Sequence, residues 1–550
     1  MKNKRYGLLL VILLIVPAVA CGLFDGSVSG EPPRDAAVVE VMANSSLMPW
    51  LEEAIWEFNA AEIETSDGKQ VFAIPEGVEA GQAVSLMAGG SALPTLWIPD
   101  DMVWVELLDD QGISVFNEEC QSVAESPLVI GMWRPVAESL GWPGLPLGWL
   151  DIGSLAADPG AWGYYSGGEY GDSLRMSHAH PGLAGSGTST LLAVVQAAQA
   201  TSDAVTSEDI AQPIVQASVG AFENAVTSFN PSTDNLGRTM SQRGPAYLGA
   251  GVMYESSVVA YGNNEIVAIY PLEGTFMATH PACINAGVDA QSREAAELLR
   301  DYLLGEEAQQ MALAAGLRPV NEAVPVAAPL DEAHGVDPTQ PAIIFEAPSV
   351  ASVYAIQDLW QSARKPVNLV MLLDTSGSMR GAKIENMKDA AMQFVEQMGE
   401  EDRITIIEFY SEPVVWVNNA VIGEERDQVI GVIAGLESGG DTTLYDAIGD
   451  AGALVGDTAS PEASNAMIVL SDGQDTASTR FDFDTRLIAA ATENDTTVFT
   501  IAYGNDADDE ILSELATSGN GNFYQGDVAS IAAIYEEMSA AFGGSLGVGR

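Results

Sequence analysis

Two apolar runs in the last third of the chain constrain its fold more than any other feature. Residues 368–373 (NLVMLL) and 466–470 (AMIVL) show no alternation of polar and apolar positions. A strand without a polar face is buried on both sides, so helices must cover it above and below. The first run ends at Asp374-Thr375-Ser376-Gly377-Ser378 and the second at Ser471-Asp472-Gly473. Further strands are expected at 404–409 and 497–502, and helices at 383–397, 426–436, 444–455, 511–516 and 531–541. Strands alternating with helices predict a doubly wound α/β domain, whose ligands sit beyond the carboxyl ends of the strands. Asp374 and Asp472 both fall there.

The chemistry of these turns points to a hard cation. Mg2+ takes oxygen ligands in an octahedron and keeps several waters. The turn after 373 supplies one carboxylate and two hydroxyls, Asp374, Ser376 and Ser378, with a glycine that lets the backbone pass close to an ion. Asp472 adds a second carboxylate, and the run 439–446 (GGDTTLYD) adds a threonine hydroxyl. Two carboxylates and neutral hydroxyls leave such an ion able to accept an acidic group from outside. The ordered set resembles the metal-ion-dependent adhesion site of von Willebrand factor type A domains, over residues 366–542. The resemblance implies a metal set of Asp374, Ser376, Ser378, Thr442 and Asp472, with Thr443 the neighbour most easily confused with Thr442. The cofactor it implies is Mg2+, or Mn2+ or Ca2+ in its place.

At 550 residues the chain is too long for one ordinary core, and two or three domains are expected. Its 47% hydrophobic content is that of a globular protein. The net charge of −55 excludes nucleic acid as a partner, because nothing could neutralise phosphates in quantity. Acidic residues are spread along nearly the whole chain, as in a self-repelling exterior protein. A high-salt habitat or a cation-collecting site is the alternative.

Residues 38–42 read as a strand that ends at Ala43-Asn44-Ser45-Ser46, followed by a helical pattern through Leu47, Leu51, Ala54, Ile55 and Phe58. Further strands are expected at 92–100 and 126–133. A second polar turn, 186–190 (SGTST), opens a helix through Leu191, Leu192, Val195 and Ala198. Segments 294–304 and 306–315 read as two helices ending at Gly316. This order, with the segments SPLVIGMWRPVAESLGW and EEAQQMALAAGLRP, resembles a bilobal extracellular solute-binding protein of the type II periplasmic class over residues 35–365. By analogy the cleft is lined near Asn44, Ser45, Ser46, Gly185, Ser186, Thr188 and Tyr254. Simple helix capping is the competing explanation for each residue. Few Lys or Arg flank either turn, so an oxyanion ligand would depend on backbone donors.

No HExxH, CxxC, Gly-rich loop with Lys or GxSxG elbow is present, and an enzyme is not expected. His178 and His180 could chelate a metal as an i, i+2 pair. No third ligand is evident, and surface histidines before a turn are the commoner case. Cys120 and Cys283 form an even pair, which in an oxidising exterior predicts one disulfide. Two buried free thiols are the alternative. Cys283 sits in HPACINAG, a run read as lying between elements.

Lys2, Lys4 and Arg5 precede a short apolar run at 7–16, then Pro17-Ala18-Val19-Ala20-Cys21. The run is too short to span a bilayer and fits a secretory signal. The small residues before the cysteine resemble a bacterial lipobox, although Leu is usual where Ala18 stands. The resemblance implies cleavage between Ala20 and Cys21, diacylation of Cys21 and a stable membrane anchor on the extracytoplasmic face. Plain secretion is the alternative. The organisation expected is therefore a signal at 1–20, a tether at 21–34, the bilobal module at 35–365, the metal-binding domain at 366–542 and a Gly-rich tail at 543–550.

The function expected is a cell-surface binding or adhesion protein. It would capture an acidic group of a protein partner through the metal, with the bilobal module serving a second ligand or acting as a platform. The alternative is the solute receptor of an ABC-type transporter. Mass spectrometry of the mature protein should find an acylated Cys21 at the N-terminus. An unmodified Cys21 or a cut elsewhere removes the anchor.

Overall fold

The computed structural model describes residues 32–116, 120–170, 174–460 and 462–544. The signal segment, Cys21 and nearly all of the tether lie outside them. Three sheets organise the chain. The first lobe is built on the strand order Val71–Gly77, Ala37–Ala43, Leu96–Ile98, Pro281–Ile284, Gln121–Ser122. The second lobe runs Met277–Ala278, Ser126–Trp133, Ala250–Tyr254, Met176–Ala179, Val226–Asn230, with Ile266–Ile269 also paired to Ser126–Trp133. The chain crosses between the lobes after Ser122 and again before Pro281, which makes the module bilobal.

Helix Met48–Ala60 shows why the first lobe folds as it does. Trp50, Leu51, Ala54, Ile55 and Phe58 recur at helical spacing and are all fully buried. They pack with Ala295, Leu299 and Leu303 of helix Ala290–Leu303. The helix is entered through a short 3-10 turn, Ser45–Leu47, with Asn44 as its cap. Strand 92–100 contracts to Leu96–Ile98, because Pro94 lacks the N–H that a longer ladder needs. Cys120 and Cys283 are joined in a disulfide. Cys283 lies within strand Pro281–Ile284 and is buried, so the reading of that run as a connection is corrected.

The third sheet has the order Pro413–Val421, Arg403–Phe409, Val367–Asp374, Ser464–Ser471, Thr497–Tyr503, Asn520–Gly526. It is parallel except for the edge strand Pro413–Val421. Val367–Asp374 is buried at every residue, as its lack of alternation requires. Leu369, Met371 and Leu373 face one helix layer, and Val370 and Leu372 the other. The helix expected at 426–436 begins earlier, as Ile422–Ala434.

The modules are bolted together. Helix Val350–Ala363 packs Trp360 against Phe229 and His180 of the second lobe, with ring centroids 5.0 and 4.7 Å apart. Arg364, the next residue, makes a two-pronged ion pair with Asp402 of the third domain at 3.1 and 2.9 Å. Asp402 also accepts the backbone N–H groups of Val367 and Gly399. Arg243 of the second lobe donates to the Gly521 carbonyl at 2.8 Å. The start of the Gly-rich tail is docked rather than free: His180 Nε2 lies 2.8 Å from the Gly544 carbonyl.

Both histidines are therefore core residues, which corrects the surface reading of His178 and His180. His178 is fully buried and pairs with Glu223 at 2.9 Å. Burial pushes the His180 pKa down to about 3. Each ring is held by protein groups on both nitrogens, which leaves neither free for a metal.

Arg364→Ala should destabilise the protein by roughly 3–5 kcal/mol, because it strands the Asp402 carboxylate in the interior. Replacing both partners with apolar residues should cost less. Chemical denaturation of the two variants checks this, and equal losses would contradict the ion-pair account.

Candidate metal centre and interlobe cleft

The first site stands at the carboxyl end of the third sheet. Strands Val367–Asp374 and Ser464–Ser471 are parallel neighbours in register from Val367/Ser464 to Leu373/Leu470. Asp374 and Asp472 are thus delivered side by side, both fully buried. Asp374 accepts the Ser376 N–H at 2.8 Å through one oxygen, and the Ser471 hydroxyl at 2.7 Å and the Asp472 N–H at 3.4 Å through the other. The Ser376 and Ser378 hydroxyl oxygens are 3.0 Å apart, and the Ser378 hydroxyl donates to Asp472 at 2.6 Å.

Thr442 and Thr443 are separated by their surroundings. The Thr443 hydroxyl is spent on the Tyr410 carbonyl at 2.9 Å. A Cβ built on Gly473 would lie 3.8 Å from Thr442 Oγ1 and 4.0 Å from Ser378 Oγ, so the Thr442 hydroxyl faces the Asp472 turn. The loop carrying Thr442 is tied to the DTSGS turn by Gly439 N–H to Thr375 O and by Gly377 N–H to Gly440 O, at 2.7 and 3.1 Å.

The donor set fits a hard divalent ion. Ligands about 2.1 Å from Mg2+ and at right angles are about 3 Å apart; the Ser376 and Ser378 hydroxyl oxygens have that spacing at 3.0 Å, and Ser378 Oγ stands closer to Asp472, at 2.6 Å. Burial pushes the Asp374 pKa up, and the nearby Asp472 adds to the shift. Among the described residues no group of three or more His, Cys, Asp or Glu is arranged for a metal; this set has only two acids and depends on hydroxyls.

Sequence reasoning missed Lys383. Its ammonium lies 2.6 Å from the second oxygen of Asp472, and its side chain is 27% exposed. The position was readable as the first turn of the helix following the DTSGS turn. A cation there neutralises one carboxylate and opposes a second cation. Lys383→Met should raise divalent-metal affinity about tenfold, through roughly 1–2 kcal/mol lost from the metal-free state. Calorimetric titration with Mg2+ and Mn2+ measures it, and weaker binding would show that Lys383 supports the site instead.

The second site is the cleft between the lobes. Asn44 is fully buried, and Tyr254 lies across the cleft from it at the end of strand Ala250–Tyr254. The hydroxyls of Ser46, Ser186 and Thr188 are committed locally, to Asn44 Oδ1, Thr233 Oγ1 and the Pro181 carbonyl. Asn44 Nδ2 and the Ser45 hydroxyl donate instead to Glu79, and the Tyr254 hydroxyl to Asp100. Gly185 packs directly against Asp100: a Cβ there would lie 2.0 Å from the carboxylate, which would have to move. Neither Glu79 nor Asp100 was expected from the sequence. Burial pushes their pKa values up to about 8 and about 6. The space remaining beside Asp100, Gly185, Thr188 and Tyr254 is about 20 Å³, room for one water.

Two lobes hinged by paired crossovers define a binding protein of the periplasmic type, fused to a Rossmann-like domain with an acid-and-hydroxyl site. Residues 39–318, just over half of the chain, match the family model of the bacterial extracellular solute-binding proteins, and the chain belongs to that family. Residues 368–537 match the von Willebrand factor type A domain.

Among curated relatives, the uncharacterized protein sll0103 of Synechocystis is 25% identical over 159 residues, 29% of this chain and 37% of that one. Human inter-alpha-trypsin inhibitor heavy chain H4 is 27% identical over 164 residues, 28% of this chain and 18% of that one. The chain thus spans well under two thirds of the length of these relatives. Similar solved structures include the sulfate-binding protein SubI of Mycobacterium tuberculosis, at 19% identity and TM-score 0.40, covering 58% of this chain and 96% of that one. A von Willebrand factor type A structure from Catenulispora acidiphila is 23% identical with TM-score 0.30, covering 32% of this chain and 42% of that one.

Proposed function

We propose that this is a lipid-anchored binding or adhesion protein of the extracytoplasmic surface, which captures an acidic group of a partner protein through a divalent ion. The observation that carries this reading is the convergence of Asp374, Ser376, Ser378, Thr442 and Asp472 at the carboxyl end of one sheet. A hard ion held there, Mg2+ or Mn2+, supplies a coordination position that an outside carboxylate can fill. Asp374 and Asp472 supply its counter-charge. The serines and threonine supply neutral oxygens that leave the ion electron-poor. The bilobal module serves as a platform that holds this site away from the membrane, and Cys21 anchors the whole.

The second reading is a solute receptor for an ABC-type transporter, supported by the family of the bilobal module. Against it stands the small space beside Asp100, Gly185, Thr188 and Tyr254, about 20 Å³, which is less than a solute needs.

Asp374→Ala should abolish metal binding while leaving the fold intact, because the strand cores do not depend on the ion. Ser376→Ala should weaken it less, since water can replace a hydroxyl. Partner capture from native membranes should be lost in EDTA and in Asp374→Ala. Equal capture in Mg2+ and EDTA would overturn the adhesion mechanism, and equal metal affinity in wild type and variant would overturn the site.

A further inference from the structure

We propose that Glu79 is the resident ligand of the interlobe cleft: its carboxyl fills, from within the chain, the seat of a small carboxylate or oxyanion and holds the lobes shut. Glu79 belongs to the first lobe and is 2% exposed. It accepts Asn44 Nδ2 at 3.1 Å and the Ser45 hydroxyl from its own lobe. From the other lobe it accepts the backbone N–H of Thr233 at 3.1 Å. Thr233 opens the eleven-residue helix Thr233–Arg243. Its N–H is one of the four that a helix leaves unpaired at its positive end. An external anion at a helix N-terminus would use such a group. Its three named partners donate to the carboxylate form, and the Ser45 hydroxyl can turn to accept from the protonated one, so no solute is needed to satisfy the seat.

The closure around Glu79 is built in. Gly81 and Gln82, just after it, both donate across the cleft to the Leu183 carbonyl, at 2.8 and 3.1 Å. A Cβ at Gly81 would lie 2.5 Å from the Gly182 carbonyl oxygen, so only glycine permits this approach. The Asp234 N–H reaches Ser45 Oγ at 3.4 Å, and the Tyr254 hydroxyl of the second lobe donates to Asp100 of the first. The charged groups around Glu79 are Asp100 and Asp234, and Asp234 is paired with Arg238 at 2.7 Å. A buried carboxyl with a raised pKa takes up a proton as the cleft closes. Closure on Glu79 is therefore weakened as pH rises from the ordinary glutamate value towards about 8.

The test uses the full chain, with sodium chloride as a control at matched ionic strength because the protein is so acidic. Hydrogen exchange reads the Gly81, Gln82 and Thr233 amides in wild type and Glu79→Ala, with and without formate or sulfate. Wild type should respond to neither anion beyond the chloride control. Glu79→Ala should exchange these amides at least about tenfold faster, and formate should restore protection. Glu79→Asp keeps the carboxyl but ends one methylene short of Thr233; it should speed exchange at Thr233 without altering the thermal transition, which separates clasp loss from misfolding. Protection of wild type by formate or sulfate as strong as in Glu79→Ala would overturn the proposal, as would unchanged exchange in both variants. Metal titration is read separately, so failure here does not touch the metal site.

Discussion

A carboxyl group taken out of water is stable only where donors or a cation face it. This chain has 77 acidic residues and 22 Lys and Arg, so cations cannot serve every buried acid. The structure distributes them selectively. Asp402 and Glu255 receive arginines, Arg364 and Arg318. Glu223 is held by His178 and the Trp360 indole. Asp446 accepts three successive N–H groups, from Thr479, Arg480 and Phe481, with the Arg480 guanidinium 3.5 Å away. Asp472 is shared between Ser378 and Lys383. Asp374 is held by N–H groups and hydroxyls alone, beside a second acid. Glu79 and Asp100 in the cleft are likewise held by neutral donors alone, but only Asp374 stands beside a second acid within a ring of hydroxyls.

The same acids tie the modules together. Glu223 faces His178 within the second lobe and Trp360 on the linking helix, and Arg364, four residues on, grips Asp402. Movement of the linking helix would break contacts in both modules at once. Since Trp360 also stacks on Phe229 and His180, the linking helix is part of the second lobe's core, and Arg364 and the Gly544 carbonyl tie the third-sheet domain to it. The Arg364-Lys365-Pro366 segment lies between the hydrophobic cluster of the second lobe and those of the third sheet.

The parallel sheet was legible because its central strands have no polar face, and the ends of those strands fixed Asp374 and Asp472. Strands Pro413–Val421 and Asn520–Gly526 were not read, because both are sheet edges. Trp416 on the first is 54% exposed, and the second is rich in Asn and Gly, so neither carries the pattern of a buried strand. The turn at Asn44 to Ser46 was legible as a helix entry. Its partner Glu79 was not, since 35 residues separate Asn44 from Glu79 and one glutamate among many carries no local signal. Asp100 was hidden in the same way, and only the glycine at 185 hinted that something approached closely.

The two sites differ in the polarity they can accept, and the difference lies in the atoms that face them. At the metal centre the neutral groups are hydroxyls, which can donate to a carboxylate or turn a lone pair towards a cation. Ser376 and Ser378 can therefore leave their present hydrogen bonds and serve an ion without being replaced. In the cleft, Asn44 presents its amide nitrogen and Thr233 its backbone N–H, both donors only, with Ser45 the single hydroxyl. A cation arriving there would meet hydrogens. On the two proposals, sites rich in buried acid take opposite ligands: the sheet end a cation, and the cleft an acceptor that the chain supplies itself.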